Sequence, residues 1–158
     1  MTDVVSVDRV IPATPEAIFA LISDPHRHQE IDGSGTVRSA KNVPVTLALG
    51  STFGMSMKMG VPYAMVSKVI EFEQDRLLAW KTVPPVRFTD KLAGGRIWRY
   101  ELEPVAGGTK VTESWDISQE AAFTKPVVRK AAEQTRTNMA ATLARIEEVL
   151  TRGAPCSS

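Results

Sequence analysis

From Lys110 to Ser118 a single carboxylate alternates with apolar side chains. Val111, Glu113, Trp115 and Ile117 share one face of an expected strand, and Thr112, Ser114 and Asp116 share the other. A carboxylate on the apolar side of a sheet loses the hydration of its charged form. Its pKa is then expected to rise, and a carboxyl that holds its proton can serve as a general acid or base. An arginine within reach would reverse that shift by attraction. Arg96 and Arg99 could do so if a bulge alters the alternation. Glu113 is expected to be the most perturbed carboxylate of the chain, unless it lies at a strand end or is paired. Tyr100, on the same face as Trp98 and Leu102 of the next strand back, is the second group that could move a proton. Glu113 and Tyr100 are the two candidate catalytic residues.

Other reactive residue types form no set. His26, His28 and Glu30 stand close together, but side chains two apart on a helix point about 200° away from each other. No cysteine or further histidine completes a closed metal site, so no metal is expected and these histidines read as solvent-facing or capping. Asp32-Gly33-Ser34-Gly35-Thr36 lacks the Lys-Ser/Thr ending of a phosphate loop and precedes a strand, which favours a turn. Ser34, Ser114 and Cys156 have no base near them in sequence. No cofactor is called for.

The same alternation defines a wall. Phe53, Met55, Met57 and Met59 fall on one face of the segment Ser51 to Met59. Leu78 and Trp80 do so in Leu77 to Val83, and Trp98, Tyr100 and Leu102 in Arg96 to Glu103. With Trp115, all three tryptophans of the chain lie on one expected face. Such a wall is either ordinary core or the lining of a cavity. Methionine adapts to varied apolar shapes, and buried indole and phenol groups bring a few polar points. With Glu113, and Thr135 and Met139 from the helix described next, these residues form the candidate pocket.

The elements that would hold this wall follow from periodicity. Apolar residues at Val128, Ala131, Ala132, Thr135, Met139, Thr142, Leu143, Ile146, Val149 and Leu150 recur at steps of three and four, predicting one long amphipathic helix stopped by Gly153 and Pro155. Its first half is small and its second half bulky, so room is expected under Ala131, Ala132 and Thr135. Bulky Leu143, Ile146 and Leu150 need a partner, expected from two short helices between Pro15 and Ile31. Thr14 suits the cap of the first, with Pro15 and Glu16 in its opening turn. Val4 to Ile11 alternates as a strand, with Val5, Val7 and Arg9 on one side and its inner face left open. Thr36 to Lys41, Ser51 to Met59, Tyr63 to Glu73, Leu77 to Val83, Arg96 to Glu103 and Lys110 to Ser118 complete the strands, parted by glycine-rich or Asp-containing turns. Short regular spacing favours an antiparallel meander, in the order β-α-α-β-β-β-β-β-β-α.

The chain's 158 residues suffice for one domain, expected over residues 1–158. Its 19 basic and 18 acidic residues nearly cancel, which argues against a nucleic-acid partner. No secretory signal or apolar stretch long enough to span a bilayer is read, and a lone cysteine fits a reducing compartment. A cytoplasmic protein without integral membrane association is expected; its oligomeric state is left open.

Three stretches, "IPATPEAIFALISDP", "VIEFEQDRLLAW" and "WRYELEPVAGGTKVTESW", in this order, resemble the START-like or Bet v 1-like helix-grip superfamily (SRPBCC), often labelled polyketide cyclase/dehydrase. The resemblance covers almost the whole chain. It implies an α+β helix-grip fold. A curved antiparallel sheet of about seven strands would wrap a long C-terminal helix, with two short helices after the first strand and an apolar cavity. It does not imply one activity. Three functions stay open: a carrier of a small apolar molecule such as a lipid, polyketide or isoprenoid; a cyclase/dehydrase-type enzyme using Glu113 and Tyr100; and an interaction module resembling chaperone activators. Outward Lys58, Lys68, Lys81 and Arg99 argue against the last, which needs an exposed apolar patch.

Overall fold

The computed structural model of the chain describes residues 3–24, 27–31, 37–41, 47–59, 61–83, 96–120, 122–123 and 125–152; the side chains of residues 29–30, 37–41, 53–65, 83 and 152 lie outside that description. In chain order the elements are β1 (Val4–Ile11), α1 (Pro15–Ile22), α2 (His28–Ile31), β2 (Val37–Lys41), β3 (Thr52–Met59), β4 (Val61–Glu73), β5 (Leu77–Val83), β6 (Arg96–Val105), β7 (Gly108–Asp116), α3 (Lys125–Arg129) and α4 (Ala132–Arg152). The strands form one antiparallel sheet in the order β1-β7-β6-β5-β4-β3-β2. Strands β2 to β7 thus run as a meander, and β1, the first strand of the chain, pairs with β7, the last.

Local chemistry sets the joints. Thr14 accepts the Ala17 amide at 3.2 Å and Pro15 opens α1, so the helix starts where its free amides find a partner. Gly107 and Gly108 turn β6 into β7 with φ of 88° and 152°. A Cβ on Gly108 would lie 2.1 Å from the Ile11 carbonyl oxygen, so the turn packs backbone to backbone against the end of β1. Thr109 ties it down by donating to the Ala13 carbonyl at 2.8 Å. In β4 the pairing with β5 shifts between Val69 and Glu71. The extra residue lets both Val69 and Phe72 join the core although they are three apart.

The apolar faces meet in two clusters. In the larger, Ile18, Phe19, Leu21 and Ile22 of α1 and Ile31 of α2 pack with Leu143 and Ile146 of α4 and with Leu78, Tyr100, Leu102 and Val111 of the sheet. Phe19 meets Phe72 edge-on at 5.4 Å between ring centres. The bulky half of α4 therefore has its partner in the two short helices. The smaller cluster joins Val5, Trp115 and Ile117 to Val128 of α3 and Met139 of α4.

The C-terminal helical region departs from a single helix. The amides of Lys130 and Ala131 bond to carbonyls three residues back, Val127 and Val128, and the four-residue spacing resumes only with Thr135 to Ala131. This tight turn ends α3 and restarts α4, which rotates Ala131 out to solvent and leaves Ala132 half-buried. The expected stripe through Ala131 is broken there. Asp3, just before β1, holds α3 down. It accepts from Arg129 at 2.7 Å and from Lys125 at 3.2 Å.

These two cations hold the Asp3 carboxyl below its ordinary pKa, the hydrogen bond from Arg129 contributing most and that from Lys125 next. A depressed carboxylate contributes stability above its unfolded-state pKa and loses it as pH falls through the lowered value. The thermal midpoint of Asp3→Asn is expected below that of the native chain at pH 7, with the gap closing in acid. Melting curves between pH 7 and pH 2 test this; a gap that stays constant across that range would rule out the titration.

Among the described residues no helix is long and apolar enough to cross a membrane.

Candidate ligand-binding site

Pairing register aligns the concave face into rows. One row runs Val5, Trp115, Trp98, Trp80 and Val69 across β1, β7, β6, β5 and β4; the next runs Val7, Glu113, Tyr100, Leu78 and Phe72. The side of β1 carrying Val5, Val7 and Arg9 is thus the inner one, and Arg9 reaches Glu147 of α4 at 2.8 Å. Trp98 and Trp115 lie 6.3 Å apart between ring centres, and Trp80 lies 5.7 Å from Tyr100. Trp115, Tyr100 and Leu78 are buried, whereas Trp80 and Trp98 are only half-buried. These two are partners in register, yet Trp80 packs with the larger cluster and Trp98 with the smaller. The seam between the two cores runs between them.

From α4, Met139 and Thr135 are buried on the side of the smaller cluster; Thr142 is buried as well and donates back to the Asn138 carbonyl at 3.0 Å. Phe53, Met55, Met57 and Met59 belong to β3, but their side chains lie outside the described residues, as do His26, Ser34, Cys156 and the segment 32–36 expected to turn.

Glu113 is 3 % exposed, between Val7 and Tyr100 in the row. Neither arginine considered for it is committed to it. Arg99 pairs with Glu71 at 2.5 Å and Arg96 with Glu120 at 3.2 Å. The Arg99–Glu71 pair belongs to the convex face, where both flank Ala79 in register and cover it completely. Ser114, also convex, shares a hydrogen bond with Ser6 at 2.9 Å and joins no catalytic set.

Of the two expectations for the histidines, solvent-facing or capping, His28 fulfils the second: it caps the last carbonyl of α1 and does not face solvent. It is buried, its Nε2–H donates to the Ile22 carbonyl at 2.8 Å, and its ring stacks on Trp80 at 5.3 Å with planes 21° apart. The carbonyl can only accept, so the bond places a hydrogen on Nε2. Its burial against Trp80 was not foreseen, because a four-residue helix has too little periodicity to tell its inner side. The signal available was the apolar Ile31 three residues on. Among the described residues no three histidine, cysteine, aspartate or glutamate side chains gather as a metal site. A groove of about 370 Å³ lies elsewhere, and four of its eight lining residues, Arg76, Glu101, Glu103 and Lys110, are charged.

The family described as "Polyketide cyclase / dehydrase and lipid transport" matches residues 2–151. Uncharacterized protein Rv0088 of Mycobacterium tuberculosis is 34% identical over an alignment 154 residues long, which covers 94% of this chain and only 63% of that relative's length. Protein CV1439 from Chromobacterium violaceum superposes with a TM-score of 0.71 at 14% identity, over 94% of this chain and 97% of its own. DynU16, a protein of the dynemicin biosynthetic locus, gives a TM-score of 0.69 at 15% identity, over 98% of this chain and 49% of its own. Likeness at such low identity speaks for the fold alone, while the match along residues 2–151 goes further: the chain belongs to the polyketide cyclase/dehydrase and lipid transport family.

Proposed function

We propose that the protein binds a small apolar molecule, lipid-, polyketide- or isoprenoid-like, between the concave sheet face and α4. One observation carries this reading. Trp80 and Trp98 are neighbours in register on the inner face, belong to separate core clusters, and keep part of their surface uncovered. Indoles in a closed core would be covered, and each apolar Å² left open forgoes about 25 cal/mol. A ligand filling the seam would recover that surface. The family description, which names both lipid transport and polyketide chemistry, supports the same reading. Trp80, Trp98, Tyr100, Trp115, Thr135 and Met139 would form the wall.

The dye ANS is expected to bind with enhanced fluorescence. Thr135→Trp, which adds an indole beside the smaller cluster, is expected to weaken that binding about tenfold with the circular dichroism spectrum kept; ten-fold corresponds to ~1.4 kcal/mol. Unchanged affinity in the folded variant would rule out a ligand under Thr135.

A second reading, an enzyme of the cyclase/dehydrase type, is favoured by the burial of Glu113 opposite Tyr100. The carboxyl and the phenol would there move protons on a bound polyketide-like substrate.

A further inference from the structure

Next to the tryptophan row the concave face turns polar. Arg96, Thr82 and Ser67 are successive partners across β6, β5 and β4, with no register shift separating them from Trp98, Trp80 and Val69. They therefore share the tryptophans' side of the sheet. The hydroxyls of Ser67 and Thr82 bond to each other at 2.8 Å, as side chains on opposite faces could not. Ser67 is 3 % exposed. Arg96 donates through Nε to Oε1 of Glu120, whose side chain is 6% exposed against 40% for the arginine.

This row is rich in unused donors. Among the described residues Arg96 engages only Glu120, and only through Nε, so the hydrogens on Nη1 and Nη2 remain to be given. Among the described residues the Ser67–Thr82 pair uses one hydroxyl hydrogen and keeps the other. A donor-rich row edging an aromatic wall is matched by a ligand with an oxygen acceptor at one end and an apolar body.

The geometry points to a subsite for the uncharged carbonyl end of an otherwise apolar ligand, a ketone, ester or thioester, received by Arg96 and Thr82 while the body lies on Trp98 and Trp80. This rests on the binding role proposed above and adds the ligand's polar end and its orientation. Glu120 decides against a charged end. It already neutralises Arg96, and a ligand carboxylate arriving there would meet a second, nearly buried negative charge with little screening. It would also give up its own hydration. A carbonyl oxygen accepts from the guanidinium without either cost, and hydrogen bonds to charged donors are the stronger kind.

Three probes with one ring body separate the possibilities: 2-acetylnaphthalene, 2-ethylnaphthalene and 2-naphthoate, titrated at pH 7 by isothermal calorimetry. The acetyl compound is expected to bind about tenfold tighter than the ethyl one, and the naphthoate more weakly than the acetyl compound. The double variant Arg96→Met/Glu120→Gln removes both charges together, so no lone charge is left buried. It is expected to bring the acetyl preference below about twofold. Thr82→Val, which leaves the ion pair intact, is expected to reduce it in part. Equal binding of acetyl and ethyl compounds to the native chain, or a preference untouched in both folded variants, overturns the subsite alone. A naphthoate that binds tightest overturns the uncharged end. Failure of all three to bind the folded native chain overturns the binding role and the subsite with it.

Discussion

Ile146→Ala is expected to lower stability by about 2–5 kcal/mol, the range for truncating a fully buried aliphatic side chain. Ile146 is completely buried and packs with Leu143 of its own helix, Ile18, Phe19 and Ile22 of α1 and Ile31 of α2. These residues come from three separate helices, so the gap cannot close by a small shift of one of them. For a domain of this size the thermal midpoint should fall by roughly 5–15 °C. The affinity of the folded fraction for ANS should stay the same, because Ile146 belongs to the larger cluster and the proposed ligand lies at the seam and toward the smaller one. Thermal melts give the first number and titration at low temperature the second. A midpoint within about 1 °C of the native value would show that α4 does not depend on α1 and α2 in this way.

The second large effect is expected at Glu113. For any polyketide-like substrate that the native chain turns over, Glu113→Gln should lose about 10²–10⁴ in rate, the usual cost of removing a positioned acid or base. Affinity should be kept, because glutamine fills nearly the same volume between Val7 and Tyr100. Tyr100→Phe serves as the partner experiment: a comparable loss there assigns both groups to the proton path. Full turnover in Glu113→Gln would remove the carboxylate from the chemistry. Binding in both proteins with turnover in neither would leave the carrier role standing alone. Thermal midpoints measured alongside separate chemistry from packing, since a structural carboxylate alters stability and leaves the rate per folded molecule unchanged.

Much of the frame was legible in the chain because it depends on short-range periodicity. Alternation in Lys110 to Ser118 and in Arg96 to Glu103 placed Trp98, Tyr100, Glu113 and Trp115 on one face, and the register aligns them in two adjacent rows. Thr14, Pro15 and the Gly107-Gly108 turn announced their joints, since a free helix amide or a left-handed turn admits few residue types. The small-then-bulky grading of the last helix told which half needed the short helices.

What escaped the sequence is set by contacts between distant segments. The break between α3 and α4 is invisible to periodicity because Val128 and Ala132 keep the four-residue step. It takes Asp3, over 120 positions away in the chain, to draw Lys125 and Arg129 to the head of β1. His28 has only the apolar Ile31 three residues on to suggest its burial, and it is the fold that brings Trp80 beneath its ring. In the sequence Arg96 is only a possible partner for Glu113, and the fold gives it Glu120 instead, with Thr82 and Ser67 lined up beside it. Side-chain alternation is a property of one strand, so the chain alone determines which face a residue takes. Which charges meet, and where two cores leave a seam, depends on how curved strands and a helix from opposite ends of the chain pack together; only the tertiary structure decides that.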